Sequence, residues 1–96
     1  MSTIKILIRN NTNEESEILD DTEFLSTALE QISTTALNLK EVDATDKLLD
    51  GFSDIFELLS EVLLKNNINP KNAFIHAENL RQEKGTFHDK KAINKD

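Results

Sequence analysis

The chain has 96 residues, no cysteine and a formal net charge of −7. That describes one small domain without disulfides or thiolate metal sites. The acidic balance argues against binding to DNA or RNA, which relies on a basic face to neutralise phosphates. No apolar run is long enough for a membrane span and no secretory signal pattern opens the chain, so a cytoplasmic protein is expected.

Residues 3–9 (TIKILIR) are rich in β-branched and aliphatic types, with Ile4, Ile6 and Ile8 alternating with Lys5, Leu7 and Arg9. This predicts a short extended segment that packs on helices or pairs with a copy of itself. A polar loop follows. Asp20, with Glu23 three positions on, has the spacing of a capping box and opens a first helix from about Thr22 to Lys40. Its core face is expected to be Leu25, Ala28, Leu29, Ile32, Ala36 and Leu39. The far face carries the small, uncharged Ser26, Thr27, Ser33, Thr34 and Asn38, which suit a close contact or a cavity wall and equally a weakly optimised surface.

A tight link, with Asp43 or Thr45 as N-cap, sends a second helix back antiparallel, from about Asp43 to Asn66. Leu48, Phe52, Ile55, Phe56, Leu59 and Leu63 recur at helical spacing, and Asp50, Asp54, Glu57 and Glu61 recur on the opposite face. Leu49, Leu58, Val62 and Leu64 widen the apolar surface, so this helix needs cover from more than one side. Gly51 costs a helix about 1 kcal/mol relative to alanine and permits a close approach. Asn69 and Pro70 then open a third helix that stops at Gly85, with Ala73, Phe74, Ala77 and Leu80 inward. Phe87 is expected to anchor the end of the chain. The expected fold is therefore all-α: an antiparallel bundle of three main helices plus a short N-terminal extended segment, completed by oligomerisation. One helical domain covers residues 1–88, followed by a polar tail at 89–96.

Charge is uneven along the chain. From Glu14 to Glu61 acids dominate, opposed by Lys40 and Lys47, while Lys5 and Arg9 precede the block. Lys65, Lys71, Arg81, Lys84, Lys90, Lys91 and Lys95 follow it. A small anion carrying its own Mg²⁺ fits such a division, and so does plain solubility. His76 and His88 lack the spacing of a zinc pair.

The order of KILIRN, ILDDTEFL, LLDGFSDIFELL and EKGTF, over roughly residues 4–88, resembles the MazG-like, all-α nucleoside triphosphate pyrophosphohydrolases near the phosphoribosyl-ATP pyrophosphatase branch. The resemblance implies an acidic Mg²⁺ site made by EExxE on one helix and ExxD on the next, with basic residues holding phosphates. Here EExxE falls on residues 30–34, where Glu30 survives and Gln31 and Thr34 do not match. ExxD falls on residues 51–54, where Asp54 survives and Gly51 replaces the glutamate. Asp50, one turn before Asp54, is a partial substitute. The metal candidates are thus Glu30, Asp50 and Asp54, and the phosphate candidates Arg9, Arg81 and Lys84; no catalytic residue is assigned. Thinning of the acids predicts weak or lost pyrophosphatase activity with nucleotide binding retained, in a self-associating dimer or tetramer. The alternatives are an active Mg²⁺-dependent pyrophosphohydrolase of non-canonical nucleotides, with Glu57 assisting, and a non-catalytic helical interaction protein.

Overall fold

The computed structural model describes residues 4–95. Met1, Ser2 and Thr3, which begin the expected domain and extended segment, and Asp96, which ends the expected tail, lie outside the described residues. Among the described residues the chain is all-α: α1 (Asp21–Asn38), a 3-10 turn (Leu39–Glu41), α2 (Thr45–Lys65) and α3 (Pro70–Lys84), with no strand. Its helix ends follow local chemistry. The Asp20 side chain accepts the Glu23 N–H at 2.8 Å and caps α1. The reciprocal half of the capping box is missing, because the Glu23 carboxylate turns outward to Lys5 Nζ at 2.7 Å.

α1 ends two residues before the expected Lys40, tightening into the 3-10 turn before extended backbone at Val42 and Ala44. The N-cap of α2 is neither Asp43 nor Thr45, as expected, but Ala44, which offers no side-chain oxygen. α2 closes on a Schellman motif. Asn67 takes a left-handed φ of 60°, its N–H donates to the Leu64 carbonyl at 3.0 Å, and the Ile68 N–H donates to the Leu63 carbonyl at 2.9 Å. Asn69 then accepts the Lys71 N–H at 2.9 Å, Pro70 occupies the first turn of α3, and Gly85 at φ 87° ends that helix.

α1 and α2 form an antiparallel hairpin. At one end Lys65 Nζ sits 5.8 Å from the centre of the Phe24 ring. At the other, Leu39 packs so closely on Gly51 that a Cβ there would lie 2.5 Å from Leu39 Cδ2. Gly51 therefore admits a side chain of the neighbouring helix, rather than a ligand or another backbone. Ala28 of α1 is fully buried. Around it, Phe24, Thr35 and Leu39 of the first limb and Leu48, Ile55, Leu58 and Val62 of α2 are half-buried.

The wide apolar surface expected on α2 is divided into two rows. Leu48 and Ile55 join Gly51, Leu58 and Val62 against α1. Leu49, Phe52, Phe56 and Leu59 form a second row, one residue and hence about 100° further round the helix, and stay exposed. The core face expected on α1 divides likewise: Ala28 and Leu39 pack, Leu25 and Ile32 are half-buried, and Leu29 and Ala36 are exposed. Both outer rows are displaced in the same rotational sense from the packed ones. In an antiparallel pair that brings them to the same side of the hairpin, where they make one uncovered apolar surface.

α3 departs most from expectation. Apart from Pro70 and Ala73 all of its residues are exposed, the expected inner residues Phe74, Ala77 and Leu80 among them. Phe74 is 68% exposed. Phe87, expected to anchor the tail, is 97% exposed. The radius of gyration is 16.2 Å, against about 12–13 Å for a compact chain of this length. The four-residue closure at Asn66–Asn69 holds α3 away from the hairpin.

Candidate functional site

The N-terminal segment brings two of the candidate residues, Arg9 and Asp54, together. It runs along the polar side of the hairpin, fastened at three points. Lys5 Nζ lies 2.9 Å from Glu17 and 2.7 Å from Glu23. Leu7 is gripped by the Gln31 side-chain amide at both backbone groups: its N–H donates to Oε1 at 2.7 Å, and its carbonyl accepts from Nε2 at 3.1 Å. Arg9 reaches Asp54, its Nη2 lying 2.7 Å from Oδ1 and its Nε 3.3 Å from the same oxygen. The segment therefore packs on the helices by borrowing one ladder-like pair of hydrogen bonds from a glutamine, without a second strand.

These contacts bear directly on the candidate charges. Asp54, expected as a metal ligand, is paired with Arg9, expected as a phosphate holder. The hydrogen bond to Asp54 raises the Arg9 pKa above its ordinary value and holds the guanidinium in its charged form. The paired hydrogen bonds to Glu23 and Glu17 raise the Lys5 pKa in the same way. Both pairs stand in solvent, with Arg9 and Asp54 more than half exposed, so water and salt screen them. Asp50 lies one turn before Asp54 on α2, and Glu30 stands exposed on α1. Among the described residues no three of the His, Asp and Glu side chains converge into a group that could hold a metal ion. Gln31, in the EExxE register a lost glutamate, has a structural task that a carboxylate performs only in part. That task links positions 24 residues apart, and no local sequence signal announces it.

The other two phosphate candidates lie elsewhere. Arg81 and Lys84, three apart on the last turn of α3, line a wide, open cavity of about 830 Å³ together with Leu80, Phe87 and His88. The chain turns back here through Gly85, where positive φ suits glycine, and the Lys90 N–H donates to the Phe87 carbonyl at 3.1 Å. The cavity volume falls within the range of small-molecule sites. Two cations, an aromatic ring and an imidazole line it. Arg9 and the three acids are not part of its wall.

Comparison of the chain with known protein families, with curated proteins and with solved structures finds no match. No helix among the described residues is long and apolar enough to cross a membrane.

Proposed function

We propose that this chain is a MazG-like helical protein that binds a nucleotide or nucleotide-like anion and in which pyrophosphohydrolase chemistry is weak or lost. The observation that carries the reading is the division of the candidate charges. Arg81 and Lys84 share one open cavity with Phe87, whereas Asp54 is engaged by Arg9. In this reading Arg81 and Lys84 hold the phosphates and Phe87 meets the base. Glu30, Asp50 and Asp54 are remnants of a Mg²⁺ site too poor in carboxylates to assemble an ion without the substrate's own phosphates. The bundle is completed by self-association, the protein is cytoplasmic, and neither a nucleic-acid polymer nor a membrane is a partner.

Calorimetric titration with a panel of ordinary and modified nucleotides tests the binding. Arg81→Ala and Lys84→Ala are each expected to weaken it about tenfold, the usual scale of a charge-assisted contact. Release of pyrophosphate with Mg²⁺ or Mn²⁺, lost on Asp54→Ala, would replace this reading with that of a working enzyme. A second reading, a non-catalytic helical interaction protein, is favoured by the uncovered apolar row Leu49, Phe52, Phe56 and Leu59. It stands alone if no nucleotide gives heat or a thermal shift.

A further inference from the structure

The chain leaves two apolar surfaces bare. One is the side of the α1–α2 hairpin formed by Leu29, Leu49, Phe52, Phe56 and Leu59. The other is the row Phe74, Ala77 and Leu80 on α3, which the closed turn at Asn66–Asn69 holds away from its own hairpin. We infer that α3 of one copy lies on the apolar side of the hairpin of a second copy, and the reverse, so that two chains exchange their third helices. This rests on the self-association proposed above and specifies its surfaces.

Size and charge both support a second copy as the occupant. The seven large side chains named expose on the order of 100 Å² each, so roughly 700 Å² per chain awaits cover, close to the share of each partner in a standard interface. Residues 10–65 carry fourteen acids against three basic side chains, while residues 66–96 carry six basic side chains against four acids. The segment that carries α3 and the segment that carries the hairpin are thus opposite in net sign, which favours their encounter. Apposing two hairpins instead would leave the row Phe74, Ala77 and Leu80 of each α3 bare. An exchange of third helices covers both rows at once.

The chain has no cysteine, so introduced thiols report contacts cleanly. Phe56→Cys and Phe74→Cys chains, mixed and mildly oxidised, are expected to give a disulfide-linked heterodimer, with little self-linking of either variant alone. Sedimentation of the unmodified chain is expected to show a dimer, and Phe74→Asp is expected to raise its dissociation constant at least about thirtyfold, the effect of losing a buried aromatic anchor. Circular dichroism of the variant checks that its helices persist. A monomer throughout the micromolar range overturns self-association and this inference together. A dimer whose Phe56→Cys chains link to themselves overturns the inference alone and favours hairpin against hairpin. So does a double variant in which the two thiols close within one chain.

Discussion

The two sides of the α1–α2 hairpin are treated in opposite ways. The polar side is strapped by residues 5–9 through Glu23, Gln31 and Asp54. No segment among the described residues is laid over the apolar side, and Phe56 in its centre is 58% exposed. The strap is an economy of directed hydrogen bonds that secures an extended segment without burying much surface. The bare side holds the larger reserve of stabilisation, since each of its leucines and phenylalanines gains about 1.5–3 kcal/mol when fully covered. Fine positioning of the N-terminus and overall cohesion therefore come from different sides of one element, and substitutions should separate them.

The largest effect is expected on the bare side. Phe56→Asp puts a charge at the middle of the row and should raise the dissociation constant of the assembly by more than about a hundredfold, read by sedimentation, with helicity at high concentration partly kept. Next comes the strap. Gln31→Leu strips both backbone groups of Leu7 of their partners in a half-buried place, which should cost about 1–3 kcal/mol in urea unfolding and abolish amide-exchange protection at Leu7. Within the hairpin, Gly51→Ala forces Leu39 to move and should be destabilising by about 1 kcal/mol or slightly more. In a Leu39→Ala background the same change should stabilise by about 1 kcal/mol through helix propensity alone, a reversal of sign visible in a double-mutant cycle. Asn67→Ala loses the residue type best suited to its left-handed backbone and should cost about 1 kcal/mol in thermal melts. The smallest effect belongs to Asp54→Asn, which frees Arg9 in solvent and should leave the melting temperature unmoved at physiological salt.

What the sequence disclosed follows the range of the interactions involved. α3 was legible to the residue, Pro70 to Lys84, because Asn69, Pro70 and Gly85 act within one turn of themselves. The Asp20 cap was legible for the same reason. The two rows of α2 were not. Leu48 and Leu49 are equally apolar, and only the partner helix decides that Leu48 is covered while Leu49 stays 61% exposed. Periodicity accordingly merged Phe52 and Phe56 with Ile55. In the candidate site, Arg9 and Asp54 were each picked out by charge and register, but their pairing spans 45 residues and belongs to the fold. Arg81 and Lys84 were near enough in sequence for their common position on the last turn of α3 to be read directly. The cavity beside them depends on how the chain turns back after Gly85.

The grip of Gln31 on Leu7 has a consequence for how such a chain can change. An amide and a carboxylate differ here by one heavy atom, NH₂ against O. The amide answers both the N–H and the carbonyl of residue 7, whereas a glutamate would accept the first and repel the second. Gln31→Glu would therefore place an acid next to Glu30 and loosen the middle one of the three fastenings in the same step. At this position an amide holds both backbone groups of Leu7 and an acid holds one, so the exchange halves the grip.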